Sequence, residues 1–195
     1  MITSRCSSAS RPDSSSPALP ALVALVDTIE ARTPYTHGHS LRVTELAVRL
    51  AEALRYPPAW IDRLHAAALI HDVGKLGVPD AVLLKQGPLT PEEHLIMERH
   101  AAIGGTIVHL VLPELAGIVR AHHERWDGEG YPDRLPGKRI PVEARIIAVA
   151  DAYDAMISDR PYRPGMTHAS ATAILQAGRD RQWQAELVDA FLGSA

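Results

Sequence analysis

Histidine and aspartate side chains that could bind metal ions are concentrated between positions 39 and 151. Imidazole nitrogens and carboxylate oxygens are the ligands that iron, manganese and zinc accept in proteins. Two adjacent pairs lie in the runs HDVGK and HHERWDGEGYP, and one aspartate lies in the run AVADAYDA. A set this dense predicts more than one metal ion and a hydrolytic reaction. Its members are His39, His71, Asp72, His100, His122, His123 and Asp151.

The two adjacent pairs also predict where the site lies. Neighbouring residues on a helix point in different directions, so we expect the pairs to come from helix ends or irregular turns and to converge between helices. Asp151 interrupts an apolar run, where a buried and unpaired carboxylate is costly and a metal ion would remove the cost. Asp154 is a candidate to support the ligands. Single histidines without a nearby partner are interpreted as surface or packed residues, with His37 ambiguous beside His39: His65, His94, His109 and His168.

Composition limits the classes of protein that are compatible with the chain. Its 195 residues suffice for one domain with a core, and 46% are hydrophobic, mostly aliphatic, which favours packed helices. The single cysteine, Cys6, gives no disulfide framework, so a reducing cytoplasm is expected. The net charge of −3 and the absence of a basic run argue against duplex nucleic acid. No stretch is long and apolar enough to be predicted as a membrane span. Residues 1–17 are predicted to form a disordered tail before a domain at 18–195.

Apolar spacing predicts helices along most of the chain and no strands, hence an all-α fold. Residues 90–93, Thr-Pro-Glu-Glu, predict a capped helix start, and Gly104-Gly105 predicts a close helix crossing or a kink. Residues 126–140 lack aliphatic periodicity and are interpreted as a structured loop with a function. In the second helix, Leu41, Leu46, Leu50 and Leu54 are predicted to face inward. Helices are predicted at about 19–32, 40–55, 59–70, from 90 through His100, from 113 to near 122, 141–158, 168–178 and 184–193.

Several long motifs occur in one order and cover about residues 20–193. They are HSLRV at 39–43, AALIHDVGKLGVPD at 67–80, LTPEEHLIMERH at 89–100, HHERWDGEGYP at 122–132, RIIAVADAYDAM at 145–156 and SDRPYRPGM at 158–166. With these motifs the chain resembles the HD-GYP subgroup of the HD superfamily of metal-dependent phosphohydrolases. The resemblance implies an all-α HD helical bundle with a GYP loop. It also implies a cyclic di-GMP phosphodiesterase in bacterial second-messenger signalling.

The resemblance further implies a role for individual residues. Two divalent metal ions, iron or manganese, would be held by His39, His71, Asp72, His100, His122, His123 and Asp151. Asp72 would bridge the metals, and a hydroxide between them would attack phosphorus to give pGpG, with further cleavage to GMP left open. Lys75, catalytic together with Asp72, would also contact the substrate. Tyr131, Arg160 and Arg163 would contact it as well.

Some alternatives stay open at this point. Certain relatives carry a glutamate four residues before the first ligand histidine, where it helps to bind a third metal; here that position is Tyr35, a poor ligand, which predicts two metals. The domain could instead bind a nucleotide or a partner with little catalysis, or cleave another cyclic dinucleotide such as cyclic GMP-AMP. A sensor or response-regulator partner and a homodimer through the first and last helices are further candidates.

Overall fold

A computed structural model describes residues 17–33, 38–159 and 164–194. These residues form an all-α domain, as the sequence predicts, without a β-sheet. Each helix predicted from apolar spacing is present, with its ends within a few residues of the expected positions. The nine helices of the described residues are α1 (Ala18–Arg32), α2 (His39–Ala53), α3 (Pro58–Leu69), α4 (Asp80–Leu83), α5 (Pro91–His109), α6 (Pro113–Arg120), α7 (Val142–Ile157), α8 (His168–Ala177) and α9 (Ala185–Ser194).

Two short elements that follow α3 were not predicted. A 3-10 turn at Val73–Gly77 and the four-residue helix α4 follow the His71-Asp72 pair, and neither is long enough to show an apolar period. The inward position predicted for Leu41 is wrong, because its side chain is 54% exposed. Leu50 is fully buried, as predicted, and shares the buried face of α2 with Val43, Ala47 and His39.

The core is aliphatic and holds the helices in fixed relation. α2 packs against α3 and α7, and α5 packs against α6 and the 3-10 turn at Val73–Gly77. These helices surround a cluster of fully buried aliphatic side chains that includes Leu50, Leu64, Ile146 and Ile147. Because native cores are close-packed, helix ends around such a core are held in place. The five elements that carry the predicted metal ligands are therefore positioned by one core.

The helix α5 begins as predicted and crosses its neighbour closely. Thr90 accepts a hydrogen bond from the backbone of Glu93, while Glu93 accepts one from the backbone of Thr90, which completes a capping box. The predicted close crossing lies at Gly104, against Gly74 of the 3-10 turn. A Cβ on Gly74 would lie 1.9 Å from the carbonyl oxygen of His100. Only glycine permits this approach, which brings the turn after Asp72 against the helix that carries His100.

The segment after His123 is irregular, as predicted, and is tied to the C-terminal part of the domain. The backbone N–H groups of Trp126 and Asp127 donate to the carbonyls of Gln182 and Arg181. The only regular element between α6 and α7 is a 3-10 turn at Gly137–Arg139. Among the residues described, none of the helices has the length and apolar character that a membrane crossing requires. Residues 1–16, Tyr35, His37, Arg160 and Arg163 lie outside the described residues.

Candidate metal centre

The His71-Asp72 pair lies in the turn between α3 and the 3-10 turn, not within a helix. The Nδ1 atom of His71 donates a hydrogen bond to the carbonyl of Ala68, at 2.7 Å. Since a carbonyl oxygen can only accept, this bond places a proton on Nδ1, and in the neutral ring the lone pair is then on Nε2. His71 is buried, and its Nε2 has no hydrogen-bond partner among the described residues.

The same arrangement recurs at His100 and His122. Nδ1 of His100 donates to the carbonyl of Met97 at 2.7 Å, and Nδ1 of His122 donates to the carbonyl of Val119 at 2.5 Å. Both rings therefore carry their lone pair on Nε2. Those two Nε2 atoms lie 3.2 Å apart. Two buried lone pairs at this distance repel each other unless a cation lies between or beside them.

These observations test whether the residues fit a metal ion. Three buried histidines have their Nδ1 protons fixed by backbone carbonyls, and each exposes an unprotonated Nε2 to the cluster. A histidine metal ligand commonly has this form, with one ring nitrogen fixed by a hydrogen bond and the other offered to the metal. The orphaned Nε2 of His71 is the kind of buried polar atom that a metal would satisfy. The residues fit.

Asp72 lies between two groups of ligand atoms. Its Oδ2 atom is 3.9 Å from Nε2 of His39 and 3.5 Å from Nε2 of His71. Its Oδ1 atom is 3.4 Å from Nε2 of His100. Each oxygen of the carboxylate thus faces a different set of histidines, an arrangement in which Asp72 would serve both groups of ligands if each held a metal ion. The two groups are His39 with His71 and Asp72, and Asp72 with His100, His122 and His123.

Asp151 closes the first group from the side of α7. Its Oδ1 atom lies 3.2 Å from Nε2 of His39, and its Oδ2 atom lies 4.0 Å from Nδ1 of His123. Asp154, one turn further on, accepts a hydrogen bond from Nδ1 of His39 at 2.7 Å and forms an ion pair with Arg42 at 2.7 Å. Asp154 therefore orients His39 and does not face the cluster itself, the supporting position expected of it.

The charges of the site favour ionised carboxylates and neutral histidines around Asp72. Burial alone would raise the pKa of Asp72, but nearby positive charge, that of Lys75 first, outweighs it and holds that pKa well below its usual range. Burial lowers the pKa of His122 far below its usual value and lowers the pKa of His123 to about 3. These two rings are neutral at pH 7 and available as ligands.

His39 behaves differently. Burial favours its neutral form, but hydrogen bonds with Asp151 and Asp154 outweigh that effect and raise its pKa to about 9. Without a metal, His39 is therefore protonated at pH 7 and pairs with both carboxylates. A metal bound to Nε2 of His39 would replace that proton.

The GYP loop, which contains Gly130, Tyr131 and Pro132, brings Tyr131 to the cluster. The ring of Tyr131 lies 5.0 Å from the ring of His123, and its backbone N–H donates to the carbonyl of His123. Burial and the charge of Asp151 raise the pKa of Tyr131, so its hydroxyl remains a hydrogen-bond donor. Gly130 allows the loop to fold back, because a Cβ there would lie 2.3 Å from the backbone nitrogen of Arg125.

A buried glutamate holds the GYP loop in this position. Glu124 directly follows the histidine pair and is 3% exposed. Its carboxylate accepts hydrogen bonds from the backbone N–H groups of Asp133 and Leu135, at 2.7 and 2.9 Å. The motif HHERWDGEGYP contains this residue, but its role depends on a reversal of the chain that spacing alone does not show.

We expect Glu124→Ala to misplace Tyr131 and to weaken substrate turnover by about 10- to 100-fold, as for other residues that orient a metal site. It should also lower the free energy of unfolding by about 1–3 kcal/mol, because two buried N–H groups lose their acceptor. Steady-state kinetics and denaturant unfolding measure the two effects. Glu129→Ala, an exposed change in the same loop, is the matched control. Unchanged kinetics in Glu124→Ala would contradict the positioning role.

A cavity of about 680 Å³ opens over the cluster. Ligand pockets commonly have about 300–1,000 Å³. Lys75 lines the cavity, and its Nζ atom is 2.5 Å from Oδ2 of Asp72. The structure thus brings together nine of the eleven residues named from the sequence, with Arg160 and Arg163 outside the described residues. Sequence reasoning did not identify Arg42, Lys85 or Met97, which also line the cavity and have no separate pattern along the chain.

The fold and the cluster together define a helical domain built around a metal site. The family model described as HD domain matches residues 24–187. The chain therefore belongs to the HD domain family, whose members are metal-dependent, and it carries the motifs of the HD-GYP subgroup. The metal dependence inferred from the residues agrees with this membership.

Individual relatives agree with this classification. The chain is 41% identical over 189 residues to a cyclic di-GMP phosphodiesterase of Vibrio cholerae, a match that covers 88% of this chain and 38% of the relative. A HDG"Y"P protein from Bdellovibrio bacteriovorus has the same fold, with a TM-score of 0.68, 20% identity and coverage of 89% of this chain and 58% of that chain. The structure of a cyclic GMP-AMP specific phosphodiesterase from V. cholerae matches with 34% identity and a TM-score of 0.56, over 90% of this chain and 39% of that one. The chain spans about two fifths of the length of the curated relatives it matches.

Proposed function

We propose that the domain is a phosphodiesterase that hydrolyses cyclic di-GMP to pGpG in the bacterial cytoplasm. The observation that carries this proposal is Asp72, whose two carboxylate oxygens face two groups of histidines at the base of a cavity. Relatives with this description, at 41% identity, support the choice of substrate. A sensor or response-regulator partner and a homodimer remain part of the proposal.

The proposed cofactor is a pair of divalent ions, iron or manganese, held by the seven histidines and aspartates of the cluster. When bound, such ions supply a water of lowered pKa and positive charge beside the phosphate oxygens. The donor set of imidazoles and carboxylates suits both metals. Asp72 is proposed as the shared ligand, and Tyr35 is proposed to leave the site with two metals instead of three.

The protein's own groups bind and orient the phosphodiester. Lys75 presents an ammonium at the mouth of the cluster, where it can donate to a phosphate oxygen while it stays paired with Asp72. Tyr131 keeps its proton and can donate from its position beside His123. Arg160 and Arg163 are proposed to hold further phosphate oxygens. Donors fixed before the substrate arrives lower the barrier most, because they need no reorganisation during the reaction.

Cyclic GMP-AMP is the second candidate substrate, since one matched structure belongs to a phosphodiesterase specific for it. The test is hydrolysis by the purified domain, with no metal added and then with iron(II) or manganese(II), for cyclic di-GMP and 3′3′-cyclic GMP-AMP in parallel. Metal-dependent release of pGpG with a higher kcat/KM for cyclic di-GMP is the expected result. A higher kcat/KM for cyclic GMP-AMP would make that dinucleotide the substrate in place of cyclic di-GMP. If metal-loaded protein binds the nucleotides without turnover, the domain is a binding module and not an enzyme.

A further inference from the structure

The cavity has a second wall that the metal cluster does not use. It is formed by the segment that follows the 3-10 turn at Val73–Gly77 and by the part of α5 that carries Met97. We call this surface the distal wall. Its members are Val82, Leu84, Lys85, Leu89 and Met97.

The distal wall lies beyond the position of a phosphate bound at the cluster. His100, Met97 and His94 all line the cavity and share one face of α5. His100 belongs to the cluster, and His94 lies six positions before it on the helix, or about 9 Å along the axis. A nucleotide whose phosphate is held beside His100 can therefore place its sugar and base along this face, against the distal wall.

The chemistry of the distal wall suits a flat, partly polar ligand better than a phosphate. Four of its five side chains are aliphatic or thioether groups, which favour contact with the face of an aromatic ring. The fifth is Lys85, the one cation of the distal wall. The other lysine and the arginines that line the cavity are not members of the distal wall, and they are paired as well: Lys75 with Asp72, Arg42 with Asp154 and Arg32 with Asp80.

The ammonium of Lys85 is held in a defined position. Its Nζ atom is 2.5 Å from Oε2 of Glu93, and its side chain is 30% exposed. The same Oε2 atom accepts a hydrogen bond from the backbone N–H of Thr90 at 2.7 Å. Glu93 is thus fixed by the capping box of α5 and in turn fixes Lys85. An ammonium has three N–H donors and no acceptor, so the bond to Glu93 leaves two donors for a ligand.

We propose that Lys85 reads the guanine base of the substrate, through the O6 and N7 acceptors of that base. This inference rests on the proposed hydrolysis of a cyclic dinucleotide. Guanine presents two acceptors along this edge, whereas adenine presents one acceptor and an amino group that donates. A group with donors only therefore accepts guanine and opposes adenine, while the distal wall covers either base equally. Lys85 is a residue that determines specificity and takes no part in bond breaking.

The test compares the wild type with Lys85→Met, which keeps the length and apolar stem of the side chain and removes the ammonium. We expect the KM for cyclic di-GMP to rise about tenfold or more, the scale of one lost base contact. The kcat should stay within about twofold, and so should the inhibition constant of cyclic di-AMP, whose bases are both adenine. Lys138→Met is the matched control, because it removes the same charge at an exposed position outside the cavity.

Each further outcome has a definite meaning. An unchanged KM for cyclic di-GMP overturns the role of Lys85 while hydrolysis by the wild type still supports the proposed function. An equal loss of affinity for cyclic di-GMP and cyclic di-AMP overturns base reading in favour of phosphate binding. If the wild-type protein does not hydrolyse cyclic di-GMP, both the proposed function and this inference are wrong.

If Lys85→Met does not fold, Lys85→Gln and Lys85→Arg test the same role of the ammonium. Glutamine can donate and accept, so it should relax the preference for guanine, whereas arginine should keep it.

Discussion

Replacing Asp72 with alanine is expected to reduce hydrolysis at least about a thousandfold, the scale of losing a preorganised charged group in an active site. The reason is that both ligand groups depend on this one carboxylate, with Oδ2 facing His71 and Oδ1 facing His100. Bound metal should fall below one ion per chain. The helical core should survive, because Asp72 lies in a turn at the edge of the aliphatic core. Turnover, metal content and far-UV circular dichroism measure the three effects.

Two comparisons make this result specific. Asp62→Ala removes an exposed aspartate on α3 and should leave turnover and metal content unchanged. Asp72→Asn keeps the shape of the side chain and removes its charge, so it should also fail to hold two metals. Full metal occupancy and normal turnover in Asp72→Ala would show that the centre lies elsewhere.

The second large effect is a pH dependence of stability whose sign depends on the metal. In the metal-free protein the pKa of His39 is raised to about 9, from an unfolded value of 6.5. The protonated ring, paired with Asp151 and Asp154, therefore stabilises the fold fully below pH 6.5. This contribution is lost as the pH rises through about 9. The shift corresponds to about 3 kcal/mol. The lowered pKa of Asp151 reflects the same pair and is not added to this figure.

Metal binding should reverse this slope. A metal at Nε2 of His39 displaces the proton, so binding strengthens between pH 6.5 and 9. Tighter binding to the folded state raises the free energy of unfolding in that range. The lowered pKa values of His122 and His123 affect the stability of the metal-free protein mainly below pH 6.5, where these residues take up protons in the unfolded state. The window from pH 6.5 to 9 therefore isolates His39.

Denaturant unfolding at pH 6.5, 7.5 and 9, with and without a chelator, measures both slopes. The metal-free protein should lose stability across this window, and His39→Asn should abolish most of that loss. A metal-free wild type whose stability is flat or rises with pH would contradict the pairing of His39 with the two carboxylates.

The sequence predicts the helices well because their signals are local. The capping box at Thr90 and Glu93 and the apolar spacing of α2 and α7 depend on residues a few positions apart. The pairs His71-Asp72 and His122-His123 could be assigned to turns for the same reason. The exposed position of Leu41 shows the limit, since the facing partners of a helix decide which side is buried.

The supporting residues could not be predicted, because they depend on contacts between distant parts of the chain. Arg42 meets Asp154 across 112 positions, a pairing that spacing within either helix does not encode. Glu124 binds the backbone of a loop that returns to it only because Gly130 permits the reversal. Lys85 reaches the cavity through the unpredicted helix α4 and through its contact with Glu93.

The central claim is that Asp72 joins two metal sites in one cluster, and native mass spectrometry of the reconstituted domain tests it most directly. Metal-free protein titrated anaerobically with iron(II), and separately with manganese(II), should take up two ions per chain. Asp72→Ala titrated in the same way should not reach that state. Saturation of the wild type at a single ion, or two ions bound equally well by wild type and Asp72→Ala, would contradict the shared site.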